Sequence, residues 1–164
     1  MQQVDARCAG IAQCLADSRR IADSPELNAL QKMCAMFNLS VFPSDGNRQW
    51  QLLRMLNLQD DVIVHQKFCV IAVREMTPIL SDIITQGERE GVLSCRSPRY
   101  YAQFILSMLL LSLDSVLIPA DKEETLEKLK ALSHMLEDSM HMKAGSLEYF
   151  YRPPKDPGNS PIFS

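Results

Sequence analysis

Two sets of side chains have spacings that suit metal chemistry. His65 and Cys69 are four residues apart, so on a helix both would reach one zinc ion. No second Cys/His pair accompanies them, and either a polar group in a pocket or a core histidine satisfied by hydrogen bonding, beside an apolar cysteine, is the expected arrangement. His134, Asp138 and His141 fall at i, i+4 and i+7 and share one helical face. That face lies opposite a leucine edge, which places it in water, so no metal site is assigned to it. The acids Asp60 with Asp61 and Glu123 with Glu124 sit where helices begin, and the helix dipole accounts for them. Glu88 and Glu90 flank a helix end and are expected in solvent; acid–base catalysis would need burial to split their pKa values. Gly-x-Gly-x-x-Gly, P-loop, His-Glu-x-x-His and Gly-x-Ser-x-Gly motifs are all absent. The residues therefore predict neither an enzyme nor a cofactor.

A different feature points to binding. The chain has nine methionines, and several lie close to aromatic residues: Met33 and Met36 by Phe37, Met55 near Trp50, Met76 below Phe68. Flexible, polarizable side chains suit an adaptable apolar cavity, although each one alone also serves as core filler.

The elements that must position these residues are helical. Val4, Cys8, Ile11 and Leu15 recur at i, i+4, i+7 and i+11, one face of an amphipathic helix. Ser24-Pro25-Glu26 reads as N-cap, first helical position and acidic first turn of a second helix bearing Leu27, Leu30, Met33, Cys34 and Phe37. After the turn cluster Pro43 to Asn47 comes a short helix around Trp50, Leu53 and Leu56. Val62 to Met76 is apolar on nearly every side, as a central helix would be. Thr77-Pro78 resembles a new helix start, with a kinked longer helix as the alternative. Ser97-Pro98 opens a helix through Ile118, and Asp121 to Met142 forms the last. About seven helices follow, an all-α orthogonal or antiparallel bundle over residues 1–142. Residues 143–164 form a Pro-rich C-terminal tail, with disorder expected beyond Pro153 and Tyr149 to Tyr151 able to pin its first part to the bundle.

The last two helices carry more apolar surface than one chain can cover. Leu126, Leu129, Leu132, Leu136 and Met140 line one arc of the final helix, while Ala131, Met135 and Met142 line another. The penultimate helix is surrounded by Tyr101, Phe104, Ile105, Met108, Leu109, Leu111 and Val116. A homodimer sharing a four-helix seam would cover both, with Phe104, Met108, Leu111, Leu126, Leu129, Leu136 and Met140 as interface candidates. A larger monomeric bundle is the alternative.

Composition removes several classes. The chain has 164 residues, 46% of them hydrophobic and 23% charged, enough material for one core and too little charge for global disorder. A net charge of −3 argues against a whole-surface nucleic-acid binder. Five cysteines without Cys-x-x-Cys fit a reducing compartment, and the polar N-terminus does not read as a signal peptide, so a cytoplasmic location is expected. The apolar run Phe104 to Leu113 is too short to span a bilayer, so no membrane association is expected.

The middle of the chain resembles the C-terminal domain of TetR-type bacterial transcriptional regulators. The resemblance rests on His65-Gln66-Lys67-Phe68, Thr77-Pro78-Ile79-Leu80, Ile83 to Leu93 with its Gln86-Gly87 and Gly91, and Ser97-Pro98 with Ala102. Ser97 stands where the family usually has an acidic residue. The helix-turn-helix DNA-binding domain of that family has no counterpart here, so the chain is expected to be either an excised effector domain or a naturally shortened member. The resemblance implies a homodimer that senses a small, mostly apolar effector and thereby controls DNA binding by the full-length parent, as a repressor. The first helix would be the connector to the DNA-reading heads. Trp50, Leu53, His65, Phe68, Met76 and Met108 are the expected ligand-binding residues, with His65 as a polar anchor. The competing reading is a free-standing helical protein-interaction module without a small-molecule ligand.

Overall fold

The computed structural model describes residues 2–41, 62–113, 118 and 120–152, and the side chains of 2–11, 38–41, 62–65, 68 and 113 lie outside that description. Among the described residues there are five α-helices and no strand: α1 (Gln2–Ala22), α2 (Ala29–Val41), α3 (Val62–Arg89), α4 (Pro98–Leu113) and α5 (Lys122–Ser139). A 3-10 turn, Glu148–Phe150, follows α5. The all-α expectation holds. The expected count of seven does not, because two segments predicted as separate helices are one, and the short helix around Trp50 lies outside the described residues.

The merged segments are the two halves of α3, a 28-residue helix with Pro78 in its interior. At about 1.5 Å per residue this helix is roughly 42 Å long. The Thr77 hydroxyl donates back to the Val73 carbonyl at 2.6 Å instead of capping the turn ahead of it. Met76, Ile79, Leu80, Ile83 and Ile84 are buried on one face through the proline, and this shared packing holds the helix continuous. The first half of α3 is not a central helix, since Val70 and Ile71 are exposed.

The start of α2 also differs from the sequence expectation. The Asn28 side chain accepts from the Gln31 N–H at 2.9 Å, and Gln31 Oε1 accepts from the Asn28 N–H at 3.0 Å. This reciprocal capping box begins the helix at Ala29, and Ser24-Pro25 belongs to the preceding turn.

Helix ends follow local chemistry closely. At the end of α3, Val92 N–H reaches the Gly87 carbonyl and Gly91 N–H reaches Glu88, a Schellman motif whose left-handed residue is Gly91 at φ +70°. The same pair of bonds closes α5, from Met142 to Glu137 and from His141 to Asp138, with His141 at φ +51°. Asp121 caps the start of α5 by accepting from Glu124 N–H at 2.8 Å.

Helices α3 and α4 form the principal packed pair, joined by the loop from Glu90 to Ser97, while α1 and α2 pack on α3. Ala29, Met33, Met36 and Phe37 of α2 meet Ile83, Ile84, Ala102, Ile105 and the α5 residues Leu129, Leu132 and Leu136 in one buried cluster. The chain after α5 closes this core. Leu147 and Phe150 are buried, and the Phe150 ring stacks on Phe37 with centroids 4.1 Å apart. The buried Glu137 carboxylate holds the returning backbone by accepting from Gly145 N–H at 3.0 Å and Leu147 N–H at 2.7 Å. The aromatics of the tail's first part thus pin it to the bundle; 153–164 lie outside the described residues.

Candidate functional site

A cleft of about 540 Å³ runs between α3 and α4. Its α3 wall is Cys69, Val70, Val73, Arg74 and Thr77. Facing them on α4 are Arg99, Gln103, Ser107, Leu110 and Leu111. The polar positions on α4 recur at i, i+4 and i+8 within an apolar helix, so one stripe of an otherwise greasy surface is hydrophilic. The hydroxyls of Thr77 and Ser107 donate into their own helix, to Val73 and Gln103 carbonyls at 2.6 and 2.7 Å. Arg74 pairs with its neighbour Glu75 at 2.9 Å in solvent, whereas Arg99 has no carboxylate partner among the described residues.

The Gln86-Gly87 motif serves the frame. Buried Lys32 of α2 donates to the Ala22 carbonyl at 2.6 Å and to Gln86 Oε1 at 2.7 Å. Gln86 in turn donates to the Leu27 carbonyl and to Glu90, whose other oxygen accepts from Ala29 N–H at 2.9 Å. This network ties the end of α1 and the start of α2 to the last turns of α3. Gly87 allows the approach: a Cβ there would lie 2.7 Å from Leu93 Cδ2 and 3.3 Å from Ala29 Cβ. Arg19 adds a cross-helix ion pair to Asp82 at 2.8 Å.

The residues predicted for ligand binding separate. Trp50 and Leu53 lie outside the described residues, and His65 and Phe68 sit in the first turns of α3 with side chains outside the description. Met76 is buried in the core, and Met108 packs partly buried against it; neither lines the cleft. Cys69 does line it. Sequence reasoning missed Arg74, Thr77, Arg99, Gln103 and Ser107, whose signal was the polar stripe on two apolar helices.

The predicted interface residues also divide. Leu129, Leu136 and Met140 are 2%, 3% and 0% exposed and are covered within the protomer. Phe104 at 59% and Leu111 at 51% stand in solvent, joined on the same face of α4 by Tyr100 at 60%. Met108 and Leu126 are half-buried, and Met135 of α5 is exposed.

His141 occupies the left-handed cap of α5, and the exposed His134 meets the Tyr151 ring edge-on. Burial pushes the Cys14 thiol up, aided by Asp17 and opposed by the Ser18 hydroxyl. Burial likewise raises Cys95, with Glu88 adding to it and the Ser97 backbone opposing. A raised thiol stays protonated near neutral pH and is a poor nucleophile. Burial holds the Tyr149 phenol well above its ordinary range, and the nearby Cys34 and Glu137 add to it. Among the described residues no three His, Cys, Asp or Glu side chains converge as a metal site, and no helix is long and apolar enough to cross a membrane.

Among the described residues the fold is an all-α domain with an amphipathic cleft between α3 and α4 and an exposed apolar face on α4. A family model described as the tetracyclin repressor-like C-terminal domain matches residues 45–135. The chain belongs to this family, whose members are domains of regulators, not enzymes. No curated protein matches the chain.

Proposed function

We propose that this chain is the ligand-binding and dimerisation domain of a TetR-type transcriptional repressor, working in the cytoplasm as a homodimer. The observation that carries the reading is the α4 face, where Tyr100, Phe104 and Leu111 leave three large apolar side chains in water at i, i+4 and i+11. Exposed apolar patches of this kind mark interaction sites. A two-fold-related copy would bury the stripe against its own α4 and α5, with Met108, Leu126 and Met135 at the edge. Leu129, Leu136 and Met140 would support that seam from inside the protomer.

Effector sensing follows from the frame. A small, mostly apolar molecule held against α3 acts only through its differential affinity for two arrangements of the domain. The Lys32–Gln86 network supplies a mechanical link, because the Ala22 carbonyl at the end of α1 and Gln86 of α3 share one ammonium group. A shift of α3 would therefore move α1, the connector toward a helix-turn-helix domain of the full-length parent, which is where DNA contact belongs.

Sedimentation equilibrium tests the reading. The expected mass is twice the 18.6 kDa of the chain, and Phe104→Glu with Leu111→Glu should give a monomer with unchanged helical circular dichroism. A wild-type monomer at micromolar concentration would refute the dimer and favour a helical module that docks another protein.

A further inference from the structure

The α3–α4 cleft is graded in chemistry from one end to the other. Val70, Leu110 and Leu111 give it an apolar end, and Arg99 with Gln103 gives it a polar one, with Arg74 between. From Cys69 to Thr77 the α3 wall extends about 12 Å at 1.5 Å per residue. Arg74 and Arg99 both line the space, and among the described residues no carboxylate does. Because Thr77 and Ser107 donate into their own backbones, the nitrogen donors among the described lining side chains are those of Arg74, Arg99 and Gln103.

We propose that this cleft binds an amphiphilic monoanion, a carboxylate on a medium-length aliphatic chain, with the head at Arg99 and Arg74 and the chain along Val70 and Leu110. The proposal names the effector class of the domain described above and rests on that reading. A planar guanidinium meets a carboxylate through two parallel hydrogen bonds, a geometry that a neutral or cationic head does not offer. Among the described residues Arg99 has no carboxylate partner, so it is the first contact for a single carboxylate head, with Arg74 as the second. The Arg74–Glu75 pair is solvated and contributes little, so Arg74 can turn to a ligand at small cost. The volume suits a molecule of this size, since small-molecule sites commonly enclose about 300–1,000 Å³. Leu111 belongs both to the cleft and to the exposed α4 stripe, so a second copy seated on the stripe would close the apolar end.

Isothermal titration of the whole chain with octanoate, octanol, octylammonium and octyl phosphate, each below its micellar concentration, tests this assignment. Octanoate should bind at least about tenfold more tightly than octanol or octyl phosphate, and octylammonium should not bind. Arg99→Gln and Arg74→Gln should each weaken octanoate by about fivefold or more and leave octanol unchanged, with circular dichroism confirming the fold. Leu110→Ala should weaken octanoate and octanol together. Equal affinity for octanoate and octanol, or an Arg74→Gln/Arg99→Gln chain that binds octanoate like wild type, would overturn the anionic class while leaving an apolar effector in place. Tighter binding of octyl phosphate would overturn the carboxylate. No heat with any of the four would overturn the cleft as a ligand site, and the dimer measurement would stand or fall separately.

Discussion

Tyr149 sets a phenol hydroxyl in the interior with no hydrogen-bond partner among the described residues. A buried polar group left unpaired costs about 1–3 kcal/mol, so Tyr149→Phe should stabilise the domain by roughly 1 kcal/mol in urea unfolding. The pH dependence has a definite sign. The folded pKa is raised above the unfolded one, so above about pH 10 the unfolded chain releases a proton that the folded chain keeps. Stability then falls with rising pH through the window between those two values, by at most about 1.4 kcal/mol per pH unit. The drop in urea midpoint between about pH 9 and about pH 10.5 should be larger in the wild type than in Tyr149→Phe, where the raised thiols Cys14 and Cys95 still contribute to the alkaline loss. His141 offers a second test at this scale. A side chain at φ +51° strains a position that glycine takes freely, and His141→Gly should stabilise by about 0.5–1 kcal/mol despite glycine's larger unfolded entropy. A lower melting temperature would show that the imidazole makes a contact worth more than the strain.

At the level of elements, the two close joints of the bundle have opposite chemistry. Gly87 joins α3 to α2 and to the loop after α3 by the absence of a side chain. Alanine there would gain helix propensity but meet Leu93 and Ala29, so Gly87→Ala should cost about 1–3 kcal/mol by thermal unfolding. The 3-10 turn joins the post-α5 segment to α2 by bulk instead. Phe150 is buried against Phe37, and Phe150→Ala should cost about 3–5 kcal/mol, a large share of a typical domain stability of about 5–15 kcal/mol. The same substitution should make the chain beyond Lys143 easier to cleave with protease, because the turn would lose its ring stack on Phe37 and keep Leu147, Tyr149 and the Glu137 hydrogen bonds. A loss below about 1 kcal/mol would mean that the ring is not an anchor.

For the whole molecule the decisive surface is α4. Its inner face, Ala102 and Ile105, belongs to the core, while Tyr100, Phe104 and Leu111 face outward. This division predicts that Phe104→Glu and Leu111→Glu change association far more than protomer stability. Leu136→Glu should instead unfold the protomer, since a carboxylate would replace a buried leucine. Sedimentation and circular dichroism on the same three variants separate the two outcomes. If Phe104→Glu unfolds the chain, the stripe is part of the core and the proposed seam is lost.

What the sequence alone determined are the features governed by near neighbours. Helix spacing and the anchoring aromatics at 149–151 depend on contacts within a few residues, or on composition, and they are visible in a linear reading. The Asn28–Gln31 capping box was equally visible and was masked by the more conspicuous Ser24-Pro25. Pro78 shows the limit of local rules: nothing near it says whether the helix stops, and the outcome depends on Ile83, Ile84 and Met76 packing on one side of the proline. The leucine edge of α5 shows the same limit, for periodicity tells which side chains share a face but not whether that face meets its own chain or a second copy. The cleft lay beyond sequence reasoning because Arg74 and Arg99 are far apart along the chain, and only the antiparallel packing of α3 on α4 sets both beside one apolar channel. Tertiary structure decided which apolar faces are covered and which polar groups converge, because both depend on contacts between segments that the order of residues does not bring together.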